Sequence, residues 1–517
     1  MAVRAIIRRS FYQDSVALMR VAEALRAMPG VREVAALIGT PANHQLLASA
    51  GLATAETKEA GPGDLVLAAD AESDAQAAAA LAAADELLGA RRQALEATVR
   101  ILPRTLDSAL RHMPEANLVV ISVPGPYAKF EAMRALRRGL HVFLFSDNVS
   151  LADEVELKRL ARRHRLLCMG PDCGTAYVNG VGLGFANVVP HGRIGCVAAS
   201  GTGLQAVASH LAALGEGVSQ GIGVGGRDLS ADVGGLMTDL ALEALTADSA
   251  TEVVVLISKP PAQSVLPRLE AALGSLGKPV VVCCLGELPR IGGSVRCVST
   301  LEDAAAAAAA TLHRRQWAPR TFRDQGQIRL RLAQISAGVE RHGAGILGLY
   351  TGGTLAHEAR LLLDSLLGPV SSNLAPGGDG SPHRILDLGA DEFTASRPHP
   401  MLDPGLRAHR VREAGRDATV GVILLDLVLG RGAHTDPAGP LTAAIHDART
   451  AAAGSGRSLA VVASVVGTTG DPQGLPVQVA RLEAAGVDVL PSNAQAARFA
   501  ALAVRPDLAS TLLSEPP

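Results

Sequence analysis

Val197-Ala198-Ala199-Ser200-Gly201-Thr202-Gly203 joins two stretches of different periodicity. Before it, residues 194–197 read as a short buried strand. After it, residues 204–214 (LQAVASHLAAL) place apolar side chains at helical spacing, with no Pro or Gly among them. The order is strand, tight glycine turn, helix. Such a turn aims free backbone N–H groups and the positive end of a helix dipole at one point. That point suits a phosphate or a carboxylate. A turn that merely joins two elements has the same pattern, so one copy does not choose between the readings.

The chain contains a second copy. Residues 346–358 read ILGLYTGGTLAHE, and Thr351, Gly352 and Leu355 follow Ser200, Gly201 and Leu204 by 151 positions. Again an apolar strand enters a small-polar glycine turn and leaves as a helix. Two such turns can face each other, and a dianion held between them would gain about 1–2 kcal/mol from each helix when partly buried. The expected phosphate set is Ser200, Gly201, Thr202, Gly203, Thr351, Gly352, Gly353 and Thr354.

At 517 residues, the length suits three or four domains. A net charge of −2 gives no nucleic-acid signature, and 3% aromatic residues leave little for base stacking. With 48% hydrophobic residues and 54 glycines, buried α/β cores joined by glycine turns are expected. No apolar run reaches the roughly 20 residues that span a bilayer, and the start MAVRAIIRRSFYQD has no signal-peptide core. The expectation is a cytoplasmic protein without a membrane or nucleic-acid partner. Its cysteines (168, 173, 196, 283, 284, 297) show no C-x-x-C spacing, so no metal site is expected.

Along the chain, strands at 3–9, 31–38 and 64–69 alternate with helices at 15–28 and 73–99. This suggests a small ferredoxin-like or ACT-like module. Its turn Gly39-Thr40-Pro41-Ala42-Asn43 reads as a ligand turn or as a helix cap. Beyond residue 105, strands at 118–123, 141–145 and 166–169 alternate with helices in a Rossmann-like unit. The loops carrying Asn148 and Asp172 leave the carboxyl ends of its strands, where open α/β sheets bind ligands. The glycines at 221, 223 and 226 match G-x-G-x-x-G. Residues 217–220 make a poor strand and no helix opens at once, so a dinucleotide site is rejected. An extended loop that turns Arg227 or Asp228 inward is expected instead. The strand at 251–258 ends at Lys259, which reads equally as an anion ligand or a solvated lysine. Further strands are expected near 346–350, 384–387, 419–425, 458–465 and 487–490. The stretches at 387–389, 397–401, 426–430 and 468–472 sit at strand or loop ends.

Residues 115–313 resemble the α subunit of succinyl-CoA synthetase, through VISVPGPYAK, LFSDNVSL, CMGPDCGT, GRIGCVAASGTGLQ, GIGVGGRDLS and GKPVVV. Residues 343–500 resemble the carboxyl domain of its β subunit, through YTGGTLAHE, ILDLG and VILLDLVLGRGA. The fused order is similar to that of FdrA-like proteins, nearly end to end. FYQDSVALM, GTPAN, FANVVP, GEGVSQGIGVGGRDLS, SKPPA, LGLYTGGTLA, SRPHPMLDP and TGDPQ carry that likeness. The fold it implies is α/β throughout. An N-terminal ferredoxin/ACT-like module (1–104) precedes a Rossmann-like, CoA-binding-type domain (105–193) and a flavodoxin-like ligase domain (194–316). A linker (317–339) leads to a second flavodoxin-like domain (340–517).

By the same resemblance, the synthetases hold phosphate between the helix ends of their α and β parts, which here are the two glycine turns. Departures narrow the chemistry. No stretch accommodates an ATP-grasp domain. Residues 285–296 (LGELPRIGGSVR), where a phosphate-carrying histidine belongs, contain none. The acidic residue of the family's strand end is replaced by Ser258-Lys259. The glycine turn that grips CoA is not evident, so CoA is a candidate ligand that the sequence does not require.

Acyl transfer to inorganic phosphate is the function these features imply. The resemblance associates FdrA-like proteins with oxamate carbamoyltransferase of anaerobic allantoin breakdown. Lys259 and Arg227 would bind the carboxylate or neutralise charge, and His399 or His357 would move a proton or serve a structural role. Asn148, Asp172 and Asp228 complete the expected site. The ligand would be a small carboxylate or ureido compound, with inorganic phosphate as substrate and no other cofactor required. Other subunits of a hetero-complex, or further copies of the chain, would be partners. The alternatives are an acyl-CoA synthetase subunit with a separate ATP-grasp chain, and a non-catalytic scaffold subunit. No Ser-His-Asp spacing is readable.

Overall fold

The computed structural model describes residues 2–514 apart from 12, 14, 27, 99–102, 287–294, 337–344, 376, 379 and 395–397. Of the histidine-free stretch 285–296, residues 287–294 lie outside the described residues. Two compact units emerge: Met1–Pro114 with Glu392–Pro398, and Glu115–Asp391 with His399–Pro517.

In the first unit, β1 (Ala2–Arg8), β2 (Val31–Ile38) and β3 (Leu65–Ala71) form an antiparallel sheet in the order β1-β3-β2. Successive side chains of a strand point to opposite faces. Leu65, Leu67 and Ala69 accordingly pack with Leu18, Leu25 and Leu81 of the helices Ser15–Arg26 and Asp74–Thr98. Val66 and Ala68 pack on the other face with Leu47 and Leu52. The turn before Pro41 is a helix cap: the Thr40 side chain accepts from Asn43 N at 3.3 Å.

In the second unit, β4 (Leu118–Ile121), β5 (His141–Leu144) and β6 (Cys168–Met169) form a parallel sheet. They are followed by β7 (Thr175–Val178), β8 (Val181–Gly184), β9 (His191–Ala198), β10 (Val218–Gly223), β11 (Val253–Ser258), β12 (Val280–Cys284) and β13 (Val295–Val298). These make a seven-stranded sheet in the order β13-β12-β11-β9-β10-β7-β8. The rejection of a strand at 217–220 is corrected by β10. Its polar residues are satisfied internally: Ser219 is fully buried, and its hydroxyl shares a 2.7 Å hydrogen bond with that of Thr251. After the glycine motif the next helix, Leu236–Ala247, opens only at Leu236.

The third sheet contains β14 (Gly345–Tyr350), β15 (Ser371–Ser372), β16 (Arg384–Asp387), β17 (Val420–Val428), β18 (Ala460–Val466) and β19 (Asp488–Leu490). All six strands are parallel, in the order β15-β16-β14-β17-β18-β19. The stretch expected to be a linker carries a helix, Gln325–Ser336, with Ile328 buried and Arg329 donating to Leu513 O at 2.7 Å.

One hydrophobic core runs through both larger sheets, taking Leu204, Val207 and Leu211 together with Leu355, Ala359, Leu363 and Phe499. A polar clamp adds to it. Asp471 accepts from Asn187 Nδ2 at 2.8 Å, Val188 N at 2.6 Å and Thr468 N at 2.7 Å. Asn187 also donates to Leu429 O at 2.9 Å and receives Gln205 Nε2 at 3.1 Å. Gly430 stands at φ +118°, and a Cβ there would lie 2.7 Å from Ala186 O. The FANVVP and TGDPQ motifs thus fasten the two ligase-like halves to each other.

Candidate active site

Both glycine turns lie at the carboxyl ends of interior strands, β9 and β14, and they meet. Ser200 Oγ and Thr354 Oγ1 share a 2.5 Å hydrogen bond. A Cβ on Gly352 would sit 2.9–3.0 Å from the Thr202 side chain. The turns differ in construction. Ser200 caps the helix Gly201–Ala213 in extended backbone, its Oγ accepting from Gly203 N at 2.8 Å. The second helix, Gly353–Leu367, opens one residue later relative to the repeat, with Gly352 at its cap and no side-chain cap bond.

Asp426 causes that offset. Its carboxylate accepts from Thr351 N at 2.9 Å, Thr351 Oγ1 at 3.0 Å and Gly352 N at 2.9 Å. Arg407 Nη1 pairs with it at 2.9 Å, and both groups are buried. Burial pushes the Asp426 carboxyl up and the Arg407 guanidinium down, with their mutual attraction opposing both shifts. The expectation that Thr351 and Gly352 donate to phosphate is therefore corrected: their N–H groups are committed to Asp426. The first N–H groups of each helix, at Gly201 and Thr202 and at Gly353 and Thr354, have no intrahelical acceptor.

A second carboxylate borders the same opening. Asp387, at the end of β16, accepts from Gly389 N at 2.9 Å, and a Cβ on Gly353 would lie 2.5 Å from its Oδ2. His399 is wedged beside it. Its Nδ1 accepts from Met401 N at 3.2 Å, and its Nε2 would lie 2.6 Å from a Cβ on Gly389. The Phe185 ring lies 5.9 Å from the imidazole. Burial and then the Arg407 charge lower His399 to about 4. His357, on the second helix, is lowered to about 4 by burial and then by the Lys259 charge, and its Nε2 lies 3.3 Å from Leu285 O. Both rings are neutral at pH 7.

Lys259 is exposed at the end of β11, which pairs with β9 next to the Ser200 turn. Arg227 Nε bonds Glu154 at 2.7 Å, and its Nη2 donates to Val149 O at 2.8 Å, so it is tethered to the Rossmann-like part. The expectation for Asp228 is corrected. It is fully buried and accepts from Lys158 Nζ at 2.8 Å and from Thr238 N and Oγ1 at 2.8 and 2.7 Å. It anchors the helix Leu236–Ala247 and has no access to a ligand. Lys158, itself fully buried, also donates to Glu154 Oε1 and Val224 O, both at 2.8 Å.

Asn148 is exposed with φ +53°. A Cβ on Gly125 would lie 2.4 Å from the carbonyl oxygens of Asp147 and Asn148. The turn after β4 thus packs directly against the backbone of the loop after β5. Asp172 is exposed in the loop after β6. It is raised to about 7 by desolvation from the surrounding protein and then by the Asp147 and Asp391 charges, with Arg227 opposing and Asp387 adding. Its exposure tempers the desolvation, and the neighbouring like charges support the same direction.

Asp387, Asp426 and Arg407 are the residues that sequence reasoning did not assign a role. The two aspartates stood in stretches already marked as strand ends. Arg407 gave no signal, because one arginine in an Arg-rich helix looks like a solvated face.

The fold defines an α/β protein with CoA-ligase-like domains. Residues 349–503 match the CoA-ligase family, and residues 1–100 match the family described as AllF, heavy metal-associated domain. The uncharacterized protein YahF of Escherichia coli K12 is 39% identical over 504 residues, covering 95% of this chain and 97% of YahF. The succinate–CoA ligase α subunit of Methanothermobacter thermautotrophicus is 29% identical over 148 residues, 28% of this chain and 49% of that subunit. A dinucleotide-forming acetyl-coenzyme A synthetase of Ca. Korarchaeum cryptofilum, solved with phosphate and ADP, is 15% identical with a TM-score of 0.29. That match covers 77% of this chain and 84% of the synthetase chain. The chain belongs to the FdrA-like family of proteins related to succinyl-CoA synthetase.

Residues 1–100 contain no cysteine, and their one histidine, His44, uses Nε2 on Ala60 O at 2.9 Å. Soft metals select thiolate ligands, so this module does not fit one. Among the described residues no group of three or more His, Cys, Asp or Glu is placed to hold a metal ion, and no helix is long and apolar enough to cross a membrane.

Proposed function

We propose that the chain is the phosphate-handling subunit of an oxamate carbamoyltransferase, converting oxalurate and inorganic phosphate to oxamate and carbamoyl phosphate. The observation that carries this reading is the direct contact of the two helix openings, Ser200 to Thr354 at 2.5 Å. The match of the N-terminal residues to the AllF module supports it further. Phosphate docks chiefly on the Gly201 and Thr202 N–H groups, because Asp387 already faces the second helix. Lys259, at the neighbouring strand end, draws in the substrate carboxylate.

A phosphate oxygen then attacks the carbamoyl carbon, and the C–N bond to oxamate breaks. Holding both reactants in place supplies most of the acceleration, about 7–11 kcal/mol for well-aligned partners. Backbone N–H groups stabilise the tetrahedral oxyanion. The protein acts in the cytoplasm with partner subunits, and self-association is compatible with this reading.

Incubating the protein with oxalurate and phosphate, alone and co-purified with the chains encoded beside it, tests the reading by ³¹P NMR. A carbamoyl phosphate resonance is expected. The match to the CoA-ligase family favours a second reading, an acid–CoA ligase subunit served by a separate ATP-grasp chain. Turnover that requires ATP and CoA would establish that reading. Phosphate binding without turnover in any combination would leave a scaffold role.

A further inference from the structure

An amide nitrogen leaves poorly as an anion, so carbamoyl transfer to phosphate needs an acid beside the departing nitrogen. The two histidines in reach are unsuited. Nε2 of His357 lies against Leu285 O, and His399 is packed between Gly389 and Phe185. Both are neutral, and the N–H of a neutral imidazole is too weak an acid to protonate the departing nitrogen.

A different group stands in the loop that runs against the first turn. Asp172 lies in the loop that follows β6, held at φ +53°, a backbone region that Asp tolerates better than most residues. Its own N–H donates to Ser146 O at 3.0 Å, and that of Cys173 donates to Leu144 O at 3.2 Å. Two residues on, Gly174 meets the first turn: a Cβ on Gly201 would lie 3.4 Å from Gly174 Cα. The loop therefore touches the Ser200 turn at Gly174, two residues along the chain from Asp172. The charges around it come from four other places: Asp147 after β5, Arg227 after β10, Asp387 at the end of β16, and Asp391 just beyond it.

We propose that Asp172 is the proton carrier of the transfer, an inference that rests on the carbamoyltransferase reading. Its carboxylic acid gives the proton to the oxamate nitrogen as the C–N bond breaks and the phosphate oxygen bonds to the carbamoyl carbon. The resulting carboxylate then takes the proton that hydrogen phosphate brought in. Oxamate and carbamoyl phosphate dianion leave, and Asp172 is again protonated. Charge and atoms balance without a further reactant. Desolvation and then the neighbouring carboxylates Asp147 and Asp391 favour the protonated form of Asp172, and Arg227 opposes them.

The test uses the complex that makes carbamoyl phosphate, with Asp172→Asn and Asp172→Glu. The active form is the acid, so wild-type kcat should fall as pH rises through about 7. In Asp172→Asn, kcat should drop about 10²–10⁴-fold and this limb should vanish, while the phosphate KM stays within about threefold. Asp172→Glu should restore part of kcat and a displaced limb, which a structural role would not produce. An Asp172→Asn enzyme that keeps its kcat and its alkaline limb overturns the proton-carrier assignment and leaves the reaction standing. A wild-type complex that makes no carbamoyl phosphate overturns the reaction itself, and this inference with it.

Discussion

At the residue scale, burial decides what each ionisable group can do. His399 and His357 are both held near 4, against about 6.5 in an unfolded chain. As pH falls from 6.5 towards 4, the unfolded chain takes up protons that the native rings refuse, so native stability declines through that window. Neither ring should contribute a limb to the activity profile near neutrality. In an NMR titration, both imidazole signals should inflect near pH 4, and a midpoint near 6.5 for either would contradict its placement. Histidines between prolines or near a glycine turn invite a catalytic reading, and sequence offers no measure of their solvation. Lys158 shows the converse. The run Glu154-Val155-Glu156-Leu157-Lys158 looks like a solvated helix face, yet Lys158 is fully buried between Glu154 and Asp228. The second carboxylate comes from 70 positions away, beyond any local pattern.

At the element scale, the paired turns were legible because strand, small-polar glycine turn and helix recur in one order. Their inequality was not legible, since Asp426 enters from a strand 75 residues further on. That inequality makes the two glycines respond differently. A Cβ on Gly201 meets nothing nearer than 3.4 Å, so Gly201→Ala should fold and melt as the wild type does. Gly352→Val collides with Thr202 at 2.9–3.0 Å, with the partner turn fixed behind it. It should cost about 1–3 kcal/mol and force the helix openings apart. Thermal melts and phosphate titration calorimetry on both variants check this, and an intact phosphate affinity in Gly352→Val would refute a shared anion site. Asp426→Ala should be harsher, because it leaves the buried Arg407 without a counter-charge; about 3–5 kcal/mol is expected from denaturant melts.

At the scale of the whole molecule, the alternation of apolar strands with helices announced the α/β domains, since parallel strands buried on both faces read as continuous apolar runs. What the pattern could not announce is how the two ligase-like halves find each other. Their clamp joins residues up to 284 positions apart, and its members, Asn187 and Asp471, look like ordinary loop residues. Yet the site exists only if the clamp holds, because each helix opening belongs to a different half. Asp471→Ala removes a buried acceptor for Asn187 Nδ2, Val188 N and Thr468 N. Hydrogen bonds to a charged group contribute about 1.5–3 kcal/mol each, and the orphaned donors stay buried, so a loss of at least about 3 kcal/mol is expected. Asn187→Ala should lower stability in the same direction, and the double variant should fall short of the sum, because the two side chains share a bond. The surface pair Arg505–Asp507 gives the control, where Asp507→Ala should leave the melting curve unchanged. Phosphate affinity should weaken with the clamp variants and not with the control. If it survived Asp471→Ala at a temperature where the variant is folded, the halves would be held together by their shared core alone, and the FANVVP and TGDPQ motifs would need another explanation.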